Sequence, residues 1–208
     1  MYTSVNAATF QDTFSGTSDL SEQLGTEVTG GDLINENDLG TVALFNGSTS
    51  GIDVGSDTSI DNPFISGGTV AYWINPSSDG EGSAAFILGK GDLYPYGQLR
   101  SESAGFTKLR FYVDFSTTDG DWETTAAVIP IGRWTHIAIT YNDGATTNDP
   151  TFYINGVKYT VGSGITENAT PAGTVNSDAS NNMKIGDNAS STRSFDGYMA
   201  DVRVYKGE

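Results

Sequence analysis

The sequence predicts an all-β protein, a sandwich of two antiparallel sheets, and three observations carry that expectation. Short runs of alternating apolar and polar residues recur from residue 40 onward, each bounded by turn residues. The 26 glycines, with many Thr, Ser, Asn and Asp, supply the turn chemistry that closely spaced short strands need. The sequence shows no long amphipathic helix of the kind that joins parallel strands, so antiparallel order is expected. At 208 residues the chain is read as a single domain over 1–208, long enough to bury a real core.

Taken in order, residues 9–14 read as a strand and 15–39 as a long polar, acidic excursion. From residue 40 the texture changes to TVALFNGS, then GIDV, then GGTVAYWINP, where Val70, Tyr72 and Ile74 form the expected core-facing set. Three further runs read as strands: AAFILGK at 84–90, KLRFYVDF at 108–115 and RWTHIAITY at 133–141. In the second, Leu109, Phe111, Val113 and Phe115 share the inward face, while Arg110, Tyr112 and Asp114 share the outward one. In the third, Ile137, Ile139 and Tyr141 point inward and leave Trp134 and His136 opposite. TFYINGVKYTV places Asn155-Gly156 between β-prone arms, a type I′ hairpin signal that should bring Tyr153 close to Val157. After a polar loop at 162–182, MKIGD and FDGYMADVRVY supply the last strands, with Val202 and Val204 inward and Asp201, Arg203 and Tyr205 outward.

Charge narrows the partners. Ten Lys and Arg against 26 Asp and Glu give a formal charge of -16, which repels polyanions, so nucleic acid and anionic membrane surfaces are poor candidates. The acidity serves solubility first and divalent-cation binding second. With no cysteine there is no disulfide framework, thiolate metal site or cysteine nucleophile. No stretch approaches the ~18 apolar residues of a membrane-spanning helix, and the N-terminal residues lack a signal-peptide pattern. Sequons begin at Asn46, Asn168 and Asn188, suggesting exposed loops there.

FNGS at 45–48, GTVAYWINP at 68–76, RWTHIAITY with YINGV, and FDGYMADVRVY at 195–205 follow one another in an order that resembles the laminin G-like domains of the concanavalin A-like lectins. The resemblance spans about residues 40–206 and rests on order and spacing rather than on any single motif. It implies a two-sheet antiparallel jelly-roll β-sandwich with ligands at the rim loops or on the concave face, often glycans or proteins and frequently with calcium. Two departures stand out: Ala200-Asp201 replaces the adjacent acidic pair of many relatives, and Trp134-Thr135-His136 replaces Trp-His-His.

Each catalytic arrangement is weakly supported. A retaining glycosidase needs two carboxylates about 5 to 5.5 Å apart, and the Glu-x-Asp-x-x-Glu strand of the related hydrolases has no counterpart in this sequence. His136 is the lone histidine, and no Gly-x-Ser-x-Gly elbow accompanies it, so it reads as a packed strand residue. For calcium the resemblance nominates Asp201 and Asn46; the alternative for Asp201 is a pair with Arg203. For a glycan, Trp122 in the acidic turn TTDGDWETT is the first candidate for an exposed stacking platform, with Asp121 beside it. Tyr94 and Tyr96 around Pro95 form a second, the alternative being that they pack over a sheet edge. Arg110 and Tyr112 belong to an outward face that Trp73, Trp134, His136 and Arg203 would complete, unless the tryptophans are covered by loops.

The expected function is therefore non-catalytic, lectin-like recognition of a glycan or polysaccharide by a domain of a larger secreted, cell-surface or virion protein such as a phage fibre. The alternative is a structural, adhesion or protein-interaction module without glycan binding; partners of either reading include other domains or subunits of a larger surface assembly, and glycoside hydrolysis ranks last.

Overall fold

The computed structural model describes residues 28–29, 32–36 and 40–207, with side-chain surroundings from residue 42. The strand expected at 9–14 lies outside the described residues. Two strands, β1 (Val28–Thr29) and β2 (Asp32–Glu36), fall within the segment read as an excursion, and β2 makes a hairpin with β3 (Gly40–Asn46). Asp32–Glu36 has its two apolar residues, Leu33 and Ile34, side by side among acidic and amide residues, so no alternation marks this strand in the sequence.

Then come β4 (Gly51–Gly55), β5 (Gly68–Pro76), β6 (Leu88–Lys90), β7 (Tyr94–Pro95), β8 (Gln98–Ser103) and β9 (Phe106–Val113). They are followed by β10 (Gly120–Thr124), β11 (Ile129–Pro130), β12 (Thr135–Tyr141), β13 (Thr151–Ile154) and β14 (Val157–Val161). The last three are β15 (Gly164–Ala169), β16 (Met183–Ile185) and β17 (Asp196–Lys206).

A five-stranded sheet runs β1-β4-β16-β6-β7, and a twelve-stranded one runs β11-β9-β10-β15-β14-β13-β12-β5-β17-β3-β2 with β8 added beside β9. Among the described residues only the short β14–β15 pairing is parallel. Beyond it the larger sheet folds back over itself, so that Phe111 of β9 meets Tyr141 of β12 at 5.4 Å and Phe152 of β13 at 6.5 Å between ring centroids. Phe64, from the β4–β5 connection, packs edge-on against Phe111 at 5.2 Å and Tyr96 at 5.0 Å. Such aromatic pairs add about 0.5–1.5 kcal/mol each beyond the area they bury.

Alternation places the core as expected in β5, β9 and β12: Val70, Tyr72, Ile74, Leu109, Phe111, Ile137 and Ile139 are fully buried. The run 84–90 departs from its expectation. All seven of its residues are buried, and only Leu88–Lys90 is strand. Its earlier amides go to scattered acceptors, Ala85 N to Asp79 O, Phe86 N to Arg193 O and Ile87 N to Gly97 O, rather than to one ladder. In the hairpin, Asn155 (φ 49°) and Gly156 (φ 79°) form the turn. With both residues in the loop, Ile154 faces Val157 and Tyr153 faces Lys158, which corrects the expected Tyr153–Val157 contact. β17 keeps Val202 and Val204 inward, but a register shift between Ala200 and Arg203, with Asp201 at φ 50°, buries Met199 and Ala200 consecutively.

A buried ionic node ties three loops together. Lys90 Nζ, fully buried, bonds Asp61 and lies 3.2 Å from Asp178. Asp178 also accepts the Tyr96 hydroxyl and, at 2.7 Å, the Asn62 N–H. No helix among the described residues is long and apolar enough to cross a membrane.

Two stability outcomes follow from these contacts. Phe111→Ala should cost roughly 3–5 kcal/mol in denaturant unfolding. Lys90→Ala should cost roughly 3–5 kcal/mol, because it strands two carboxylates, whereas the triple replacement of Lys90, Asp61 and Asp178 by apolar residues should cost less than that single change.

Candidate functional site

The strand that buries Phe111 must turn its neighbours outward, and the outer face of β8 and β9 accordingly presents Gln98, Arg110 and Tyr112. Gln98 is the direct cross-strand partner of Arg110, and Tyr112 that of Asp121 in β10. Arg110 reaches diagonally to Asp121, its Nε and Nη2 donating to the two carboxylate oxygens at 2.7 and 2.9 Å. Its Nη1 donates to Gln98 Oε1 at 3.1 Å, and its guanidinium carbon lies 4.7 Å from the Tyr112 ring centroid. The Tyr112 hydroxyl donates to Asp119, which also accepts Phe115 N–H at 2.9 Å. Partial burial, then the bond to Asp119, pushes the tyrosine above its ordinary range. Burial acts to raise Asp119, but the bonds from Tyr112 and Phe115 prevail and hold it below the usual carboxylate value.

These residues floor a groove of about 230 Å³. Phe86 and Pro95 line one side, the exposed Leu93 and Asp92 rise from the β6–β7 loop, and Asn188 and Arg193 come from the β16–β17 loop. The volume is smaller than the roughly 300–1,000 Å³ that enclose a whole drug-sized ligand, so the groove suits a short part of a longer one. Its loops are stapled together. Asp92 accepts Asn188 Nδ2 at 2.7 Å, Ser190 N at 2.9 Å and Ser190 Oγ at 2.5 Å. Buried Asp187 accepts Asn188 N, Arg193 N and Ser194 Oγ.

The structure brings Arg110 and Tyr112, expected on one outward face, together with Asp121, which the sequence had set beside Trp122 in a turn. Trp122 is not an exposed platform. It lies on the inner side of β10 with no exposed surface, its ring 5.2 Å from Tyr141 and 5.9 Å from Phe111, and its Nε1 donates to Asp149 at 3.0 Å. Gly120 allows this, since a Cβ there would stand 2.2 Å from the indole. The segment read as a turn is a strand with alternating burial, and Asp121 and Glu123 disguised it by occupying its outer positions. Tyr94 and Tyr96 are also buried, at 7% and 2% exposure. They border a crevice of about 10 Å³, room for about one water and not for a sugar.

Asn46 and Asp201, nominated for calcium, are not brought together, and each has partners of its own. Asn46 Oδ1 accepts three backbone N–H groups, those of Ser48, Thr49 and Ser50, and so organises its own loop. Asp201 accepts Arg203 Nε at 2.6 Å. Asn46 pairs with Asp196, five residues from Asp201, which separates the two by roughly 16 Å at strand rise. Among the described residues no group of three or more His, Asp or Glu side chains is arranged for a metal ion.

The composite aromatic face also divides. Trp73 and His136 pair across β5 and β12 with rings 5.1 Å apart, and Trp134 lies 6.4 Å from Tyr198, on the outer side of strands that pack behind the core from Arg110 and Tyr112. Sequence reasoning did not find Gln98, Asp92 or Arg193, which only long-range loop packing brings to the groove; Asn188 was noticed as a sequon but is 5% exposed and hydrogen-bonded.

The fold and the outward groove define a concanavalin A-like β-sandwich of the lectin and glucanase kind. The chain belongs to the laminin G family of the concanavalin A-like lectin/glucanases superfamily, whose profile matches residues 46–208. A search of curated proteins finds no match. Among solved structures, the binding domain of Paraclostridial Mosquitocidal Protein 1 is 20% identical, with 90% of this chain covering 45% of that one at a TM-score of 0.58. The binding domain of Botulinum Neurotoxin DC in complex with SialylT is 10% identical, with 86% and 42% covered at 0.55. The enzymatically active domain of Bacteriophage CBA120 tailspike protein 2 is 12% identical, with 86% and 28% covered at 0.56. The chain therefore spans less than half of each of these structures.

Burial, and to a lesser degree Arg203, holds His136 below its ordinary value despite an opposing pull from Asp201. A depressed folded value means that its contribution to stability is present above about pH 6.5, the unfolded value, and is lost as pH falls through the folded one. Melting temperatures should thus decline on going from pH 7 to 5, and His136→Gln should flatten that part of the curve.

Proposed function

We propose that this chain is a non-catalytic carbohydrate-binding domain that receives part of a glycan in the groove over Tyr112, within a larger secreted, cell-surface or virion protein. The observation that carries the reading is an outward aromatic ring flanked by fixed polar groups. Tyr112 is held by Arg110 and Asp119, and Arg110 in turn by Asp121 and Gln98. A sugar needs such a combination, an apolar face to stack on and pre-oriented groups for its hydroxyls. Leu93, 57% exposed at the rim, extends the apolar surface. Two of the solved structures with this fold are named as binding domains, one of them in complex with SialylT, which supports the same class of role.

The tailspike domain is an enzyme, so hydrolysis is the rival to weigh. Glycoside hydrolysis needs a carboxylic acid that keeps its proton and a second carboxylate free to act. Asp121 is occupied by Arg110, Asp92 by Ser190 and Asn188, and Asp119 by Tyr112 and Phe115 while held in its charged form. That arrangement supports recognition rather than bond cleavage.

Screening the protein on a glycan array, followed by calorimetry on the glycans retained, tests the reading. Wild type should bind a defined subset, and Tyr112→Ala should weaken binding about tenfold while the variant stays folded by circular dichroism, the loss expected from one stacked aromatic contact. Equal binding by the variant, or reducing-sugar release from a bound polysaccharide, would sink the proposal.

A further inference from the structure

Resting on the groove as a glycan site, we infer that its ligand presents a sugar carboxylate and that Arg193 receives it. Cations are scarce in this chain, ten Lys and Arg against 26 acidic residues, yet two arginines line one small groove. They are not equivalent. Both Asp121 oxygens neutralise Arg110, whose remaining terminal nitrogen is directed at Gln98. Arg193 has no carboxylate partner among the described residues; its side chain makes one bond, Nη1 to Gly82 O at 3.3 Å. Most of the five N–H donors of that guanidinium are therefore left for a ligand.

The acceptors around it are already engaged. Asp92 accepts Asn188, Ser190 N and Ser190 Oγ; Gln98 Oε1 accepts Arg110; Asn188 Oδ1 accepts Thr192 N at 2.8 Å. Asp92 balances the charge of Arg193 across the groove but spends its oxygens on Asn188 and Ser190, so the open donors of the guanidinium are left to select an acceptor-rich group, a carboxylate above all.

Arg193 is also held in place before any ligand arrives. Its N–H donates to Asp187 at 3.1 Å, and its carbonyl accepts Phe86 N at 2.9 Å. Gly82 sits at φ 61°, and a Cβ there would stand 2.3 Å from Arg193 Nη1, so the glycine leaves the space that the guanidinium fills. The backbone that carries the side chain therefore needs no ordering on binding.

The chain's charge of -16 decides how much negative charge the ligand carries. A polyanion meets repulsion over its whole length, whereas a single carboxylate at contact distance is shielded from remote charges by a Debye length of about 8 Å at physiological salt. A carboxylate also matches one guanidinium bidentately, while the sugar ring that bears it rests on Tyr112 and Leu93. Uronic and sialic acids both supply this group.

Calorimetry with matched probes, each carrying one carboxylate, tests the inference: galacturonic acid against its methyl ester, and sialyllactose against its methyl ester. At least one acid should bind about tenfold or more tightly than its neutral counterpart, the usual worth of one charge-assisted pair. Arg193→Gln should abolish that preference without lowering the melting temperature, and Gly82→Ala, which displaces the guanidinium while keeping its charge, should reduce it. Neutral and acidic probes binding alike, with both lost in Tyr112→Ala, would overturn the carboxylate and leave the groove standing. An acid preference unchanged in Arg193→Gln, or no binding of either acid, overturns it as well. A bound glycan indifferent to Tyr112→Ala is the distinct result that removes the groove itself.

Discussion

Phe111 packs against aromatic side chains from both folded-over halves of the larger sheet and from the β4–β5 connection: Phe64 at 5.2 Å, Tyr141 at 5.4 Å, Trp122 at 5.9 Å and Phe152 at 6.5 Å between ring centroids. Because side chains alternate along a strand, fixing this ring inward also fixes Arg110 and Tyr112 outward. The same residue therefore sets the register of the core and the floor of the groove. A one-residue slip of β9 would put a guanidinium between the sheets and a phenyl ring in water.

Polar groups inside this core are paired in ways that position loops. The Lys90–Asp61–Asp178–Tyr96 node joins the β4–β5 connection to the β6–β7 region and to the segment before β16. Asp149 draws the β12–β13 loop over the indole of Trp122. Burying such groups costs several kcal/mol each unless partners replace water, so the loops that bring those partners are held to one arrangement. The groove wall follows the same logic through Asp92 and Asp187, which bind the backbone of the 187–194 loop at several points.

The two outer faces differ in chemistry as a result. Over β8 and β9, charges are matched strand to strand, while at the rim Arg193 keeps open donors and Asp92 is engaged by Asn188 and Ser190. Behind the core, Trp73 pairs with His136 and Trp134 with Tyr198, with Asp201 and Arg203 also paired. Self-satisfied contacts of that kind leave little for a ligand, which is why the front face carries the functional reading.

Residue alternation over β5, β9, β12 and the end of β17 was legible in the sequence, because period-two patterning is local and survives whatever the strand pairs with. The Asn155-Gly156 turn was legible for the same reason, and so were Arg110 and Tyr112 as outward neighbours of an inward aromatic run. Burial of Trp122 was not: its polar flanks read as a turn until β9, β15 and Asp149 closed around it from positions far along the chain. Nor were the pairing partners of 84–90, whose amides each find a different acceptor. Arg193 carries no local signal at all; its place beside Tyr112 depends on Asp187, Phe86 and Gly82, and only the folded chain brings those contacts together. Local periodicity thus determined which side chains face water, while long-range loop packing decided which of them meet.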